Sequence, residues 1–240
     1  MFEVDRREQD EDVREPSLTE MSEAALNSLH RATHCRDKGY FIMIEASRID
    51  HASHAHDVNA HLGDVLEYNS VIDLVTKWIE EHPDTAMISV ADHETGGITL
   101  PSGYDPRRLQ QSRYSTEHWA DVWNDYEGSD EGRRALLVED ILPTYGIKDA
   151  SSSEINAILS GSISSGLAEL LSKRVGIKWS TGGHSAVDTT LYAYAAGDMG
   201  EQLKADLAGT WDNIEIPRYL EKAMNVSLDE VTALLAEAEA

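Results

Sequence analysis

The 240-residue sequence carries 20 Lys and Arg against 44 Asp and Glu, a formal net charge of −24 with histidine neutral. A field of that sign repels a phosphate backbone, which excludes nucleic-acid binding by charge neutralisation, and it disfavours docking on an anionic membrane surface. With 41% hydrophobic and 27% charged residues and a single cysteine, Cys35, the composition is that of a globular chain of one domain, or one and a half, without a disulfide framework.

The first sixteen residues are charged and poor in apolar groups and read as an exposed loop or a segment torn from a larger surface. Neither a basic n-region nor an apolar h-region appears there, and no run approaches the ~20 apolar residues of a membrane span. Residues 17–33 are predicted helical: Ser17-Leu18-Thr19-Glu20 has the spacing of a capping box, and Leu18, Met21, Ala25, Leu29 and Ala32 follow at steps of three and four. Tyr40-Phe41-Ile42-Met43-Ile44 is apolar at every position, as a strand buried on both faces would be. Helical period returns over 62–79, and Thr85 to Val90 reads as a second buried strand. Pro101, Gly103, Pro106, Gly128, Gly132, Pro143 and Gly146 break this rhythm, so 101–150 reads as a cap-like insertion. Ser151 with Glu154 opens a capped helix carrying Ile155, Ile158, Leu159, Leu167 and Leu170, and Ser227 with Glu230 opens the last, striped by Val231, Leu234, Leu235 and Ala238. Alternating helices and strands predict an α/β fold: a large mixed, mostly parallel sheet with helices on both faces.

Three polar clusters follow strand-like segments, where ligands bind in open α/β sheets. In Glu45-Ala46-Ser47-Arg48-Ile49-Asp50-His51-Ala52-Ser53-His54, Asp50 and His54 are four apart, which on a helix puts carboxylate and imidazole on one face. Taken singly, this spacing fits a metal site or a solvated helix start. Ala91-Asp92-His93-Glu94-Thr95-Gly96-Gly97 brings two ligand-type residues to a turn that its glycines allow to bend sharply, or else is a capped turn. His184 sits on the glycine turn of Thr181-Gly182-Gly183-His184-Ser185, as a ligand or a satisfied polar group. Together, Asp50, His54 and His184 offer three ligands with one position open, the pattern of a catalytic zinc. Asp92 and His93 offer two, and Glu45 is a hard oxygen donor suited to magnesium.

These segments carry a specific resemblance. Glu45 to His54 resembles the E-G-S-R-I-D-x-x-x-H segment of alkaline phosphatases, with Ala46 in place of glycine. Asp92 to Gly97 is similar to the family's D-H-E-T-G-G, and Thr181 to Asp188 to its T-G-G-H-T-G-x-D, in the same order. The match runs from about Pro16 to about Tyr194 and is closest in detail to the fungal, vacuolar type. It implies that residues 1–240 are the C-terminal part of a catalytic domain. It further implies two Zn²⁺ and one Mg²⁺, with Asp50, His54 and His184 on the first zinc, Asp92 and His93 on the second, Glu45 on magnesium, and His51 near the phosphate.

The implied reaction is hydrolysis of small phosphate monoesters through a phosphoserine, in a homodimer, with vacuolar location and any membrane anchor outside this chain. The family's serine lies in a D-S-A motif, and Asp-Ser-Ala is absent here. No catalytic nucleophile is therefore assigned, and the chain alone is expected to be inactive. Removing the first strands of such a sheet leaves an edge and an apolar face exposed, so poor solubility is also expected. The alternatives are a non-catalytic zinc-binding protein, or a related metal-dependent phosphodiesterase or sulfatase.

Overall fold

The computed structural model describes residues 1–35 and 39–238, which form two compact units: Met1–Trp78 with His93–Thr189, and Ile79–Asp92 with Thr190–Ala240. Among the described residues no helix is long and apolar enough to cross a membrane.

The first unit opens with a short turn of helix, Glu3–Arg6 (α1), and then Leu18–Thr33 (α2). Both bonds of the expected capping box are present: Ser17 Oγ accepts from Glu20 N at 3.1 Å, and the Glu20 carboxylate accepts from Ser17 N at 2.7 Å. The face of α2 that packs inward is centred on Ser22 and Leu26, whereas Met21 is 48% exposed. Arg48–His54 (α3) and Val58–Glu81 (α4) follow, the last three residues of α4 belonging to the second unit.

Tyr40–Ile44 is not a strand. It joins no ladder, and Phe41 and Met43 are 57% and 80% exposed while Ile42 and Ile44 are half-buried. An apolar run becomes a two-faced buried strand only where strands pair with it on its edges, and none of the described strands does. The pairings that do form are two antiparallel, two-stranded ladders, so the expected large parallel sheet is not seen among the described residues, although the mixed α/β class holds.

In the first unit, Glu94–Thr95 (β2) pairs with His184–Ser185 (β3), Glu94 opposite Ser185 and Thr95 opposite His184. Residues 101–150 fold into helical pieces: a 3₁₀ turn over Pro106–Gln111, Thr116–Asn124 (α5), Asp130–Ala135 (α6), a π turn over Leu136–Ile141, and Leu142–Thr144 (α7). They supply Trp119, Leu137, Ile141, Leu142, Tyr145 and Ile147 to the main core. Their partners there come from Ser152–Ser160 (α8) and Ile163–Val175 (α9). The single helix expected after Ser151 is split: α8 ends at Gly161, and Ser162 caps a new start by accepting from Ser165 N. In the second unit, Ala86–Ser89 (β1) pairs antiparallel with Tyr192–Ala195 (β4). Ala195 packs with Leu203 and Leu207 of Gly197–Leu207 (α10). Glu215–Met224 (α11) and Leu228–Ala238 (α12) complete that unit, with Val231, Leu234 and Leu235 of the predicted stripe all more than half exposed.

A fully buried carboxylate, Asp57, sits between α3 and α4. Its Oδ1 accepts from Asn59 N, Ala60 N and Tyr145 Oη, and its Oδ2 accepts from Thr116 N at 2.6 Å. Burial pushes this carboxyl up, and the four donors oppose that rise. Asp57→Ala strands these donors without water, and the expected loss is about 3 kcal/mol or more of unfolding free energy in urea. A loss under about 1 kcal/mol would mean that the donors find other acceptors.

Burial, assisted by the nearby Glu3 carboxylate, pushes Asp64 up to about 6 from an ordinary 3.8. The folded state then holds this proton more tightly than the unfolded chain, so ionisation disfavours folding. The contribution of Asp64 to stability is full below its ordinary pKa and lost as pH rises through about 6. Asp64→Asn should flatten the urea midpoint over that window, and an unchanged pH profile would refute this.

Candidate metal centre

Helix α3 sets Asp50 and His54 one turn apart on a single face, and the β2–β3 ladder brings His184 to them across the sequence. His54 Nε2 lies 3.3 Å from Asp50 Oδ1. His184 Nε2 lies 3.2 Å from His54 Nε2 and 3.8 Å from Asp50 Oδ1. Among the described residues these three are the group whose ligand atoms converge, all within 4.8 Å of one another. Donors bound tetrahedrally at about 2.0–2.1 Å are separated from each other by about 3.3 Å, so the spacing is that of three corners around one small cation.

The tautomer fits as well. His54 Nδ1 is 2.7 Å from the carbonyl oxygen of Gly182. A carbonyl only accepts, so Nδ1 carries the proton and Nε2 presents its lone pair to the group, the usual outer hydrogen bond of a metal-bound histidine. The side chains of Asp50, His54 and His184 are 34%, 37% and 49% exposed, which leaves one side of the group open to solvent.

The loops that carry the group are tied together. Gly96 N donates to Gly183 O at 2.9 Å, and Ser180 N and Thr181 N both donate to Gly96 O. The Glu94 carboxylate accepts from Gly97 N, Ile98 N and Ser185 Oγ, so it fastens the turn to β3 rather than facing the group. His56 stacks on Trp179 at 5.1 Å with its Nε2 2.8 Å from Thr181 O, and His61 meets the same indole edge-on. Burial lowers the His61 pKa. Both histidines brace the 179–183 turn.

The other expected residues are placed differently. His93 stacks on the His184 ring at 3.5 Å, adjacent to the group but not a member of it. Asp92 ends a segment of the second unit, and Glu45 is exposed ahead of α3. His51 Nδ1 accepts from Arg48 Nη1 at 3.1 Å. Arg48 in turn holds both oxygens of Glu117 at 3.0 Å and lies over the Phe2 ring. Thr95, which the ligand-type pattern of the sequence does not single out, is a buried hydroxyl that donates to Asp50 Oδ1 at 2.5 Å and lies 3.1 Å from His93 Nδ1. Its only signal was its place in the Asp92–Gly97 motif.

Gly96 has φ +89, and a Cβ there would lie 2.6 Å from the Trp179 ring and 3.2 Å from Ser53 O. Gly96→Ala should therefore lower stability by about 2 kcal/mol or more in urea unfolding, from the backbone conformation alone. An unchanged midpoint would show that the turn is not built as described.

A family model described as alkaline phosphatase matches residues 1–226. The alkaline phosphatase of Schizosaccharomyces pombe is 33% identical over 239 residues, covering 93% of this chain and 43% of that protein. The repressible alkaline phosphatase of Saccharomyces cerevisiae is 31% identical over 260 residues, covering 98% and 45%. This chain thus spans less than half the length of these curated relatives. The solved alkaline phosphatase of Thermus thermophilus superposes with a TM-score of 0.68 at 28% identity, over 82% of this chain and 45% of that one. A cold-active alkaline phosphatase from a psychrophilic Shewanella shares the fold, with a TM-score of 0.70 at 23% identity, over 89% and 52%. By sequence and by fold, this chain belongs to the alkaline phosphatase family.

Proposed function

We propose that this chain carries the metal centre of a phosphomonoesterase acting on small phosphate monoesters as a homodimer. The observation that carries the reading is the spacing of Asp50 Oδ1, His54 Nε2 and His184 Nε2, which suits one zinc with a position left open. Asp92 and His93 are assigned to a second zinc, Glu45 to magnesium, and His51 to the surroundings of the phosphate, all on the strength of the sequence motifs. When bound, such ions act as Lewis acids that neutralise charge on the phosphoryl oxygens and the leaving oxygen.

The work of this chain's own residues is to hold and orient. The Gly182 carbonyl fixes the His54 tautomer, the Glu94–Ser185 bond fixes the strand carrying His184, and Arg48 holds the His51 ring through Nδ1. In the phosphoserine route a serine oxygen attacks phosphorus, the ester P–O bond breaks, the alcohol leaves, and water then releases inorganic phosphate. No serine of this chain lies in the required Asp-Ser-Ala setting. Loss of a nucleophile costs on the order of 10⁶-fold in serine hydrolases, so the 240-residue chain alone binds metal without turnover.

The test is a zinc titration against a competing chelator, paired with binding of inorganic phosphate and an aryl phosphate assay. One tight zinc site, weakened about 100-fold or more in His54→Ala, is expected, because a ligand lost outright costs at least as much as a lost outer-shell partner. Phosphate is expected to bind only to the zinc-loaded chain. Equal zinc affinity in His54→Ala would overturn the centre, zinc without phosphate binding would favour a non-catalytic zinc protein, and clear turnover would overturn the claim about the serine.

A further inference from the structure

Thr95 is 8% exposed and stands on the rung of the β2–β3 ladder directly opposite His184. Its hydroxyl donates to Asp50 Oδ1 at 2.5 Å, and its oxygen lies 3.1 Å from His93 Nδ1. The threonine hydroxyl has a single proton, which it gives to Asp50, and its oxygen is left with its lone pairs. That oxygen can satisfy His93 only by accepting, which places a proton on Nδ1 of His93 and the ring lone pair on Nε2. The direction of the whole chain is therefore fixed: His93 Nδ1–H to Thr95 Oγ1, and Thr95 Oγ1–H to Asp50 Oδ1. His93 is also stacked on His184 at 3.5 Å with an interplanar angle of 18°, so its ring plane is held while the hydroxyl selects its tautomer.

We propose that Thr95 is a positioning residue that serves both metal assignments at once, orienting the Asp50 carboxylate of the first zinc and setting His93 as an Nε2 donor for the second. The proposal rests on the reading of the site given above. The Thr95 hydroxyl joins an assigned ligand of one ion, Asp50, to an assigned ligand of the other, His93. Glu94, its neighbour on β2, ties loops together but touches neither ligand pair.

Two readouts on the full 240-residue chain test it. In the zinc competition titration, Thr95→Val keeps the shape and removes the hydroxyl, and it should weaken zinc binding by about 10- to 100-fold, the range for lost outer-shell partners of metal ligands. Thr95→Ser restores the hydroxyl and should bind within about threefold of the parent chain, a limit set well inside that range. Imidazole ¹⁵N NMR of the metal-free parent, with His93 assigned by its absence in His93→Gln, should show the Nδ1–H tautomer, and Thr95→Val should show a mixture.

Loss in Thr95→Val without rescue by serine would mean a packing role and overturn the proposal. So would a parent His93 in the Nε2–H form, a result that needs no variant of Thr95 to fold. Unchanged zinc affinity in Thr95→Val would overturn it too. His54→Ala in the same titration keeps the two readings apart: if it loses zinc while Thr95→Val does not, the centre stands and only the role of Thr95 falls.

Discussion

The position of His184 depends on a ladder only two residues long on each strand, Glu94–Thr95 against His184–Ser185. Two rungs are too few to hold together unaided. The pairing persists because Gly96 exchanges backbone bonds with Gly183, Ser180 and Thr181, because Glu94 accepts from Ser185, and because His56 and Trp179 back the 179–183 turn. Loosening this tie removes His184 from Asp50 and His54, which face each other one turn apart on α3. The metal group is thus a local pair plus one imported imidazole, and the import is the step that the fold must secure.

Charge favours a cation at such a group. The chain carries −24, so its field draws cations in and holds phosphate esters off. A carboxylate oxygen and two imidazole nitrogens lie within 4.8 Å of one another there, and a divalent ion bound among them would reverse the sign of the field only where they converge. An acidic surface around such a loaded centre would keep anions away from everything except that centre. The half-open exposure of the three side chains leaves it reachable from solvent.

Local signals were readable in the sequence and contextual ones were not. The capping boxes at Ser17 and Ser151 are set by residues three apart and form as expected, and the Asp50–His54 pair needs only one helical turn. Tyr40–Ile44 has the composition of a buried strand, but burial of a strand is a property of its neighbours, and composition does not contain them. The split at Gly161 hides inside a run whose apolar spacing continues on both sides, because the two helices bury similar residues against one core. The proline and glycine punctuation of 101–150 reads as a cap-like insertion, and it does not show that this stretch delivers Tyr145, Leu137 and Ile141, all at 0% exposure, to the largest core. Thr95 was invisible for another reason: a threonine is an ordinary β-strand residue until its distance to Asp50 is known.

The same stretch bears on the site itself. Helix α3 has seven residues, too few to be stable in isolation, and it must be held at its ends. At its start Arg48 grips both oxygens of Glu117, and just past its end Asp57 accepts from Thr116 N, so consecutive residues of the first turn of α5 clasp α3 at both ends. The two grips differ in strength. The first is part-exposed and screened by solvent, whereas the second is dry and shared with Tyr145 at the centre of the core. The angle of α3, and with it the facing of Asp50 and His54, is therefore governed from the Asp57 end. The ligand helix is set by the core that residues 101–150 build, while the open side of the metal group remains with the loops.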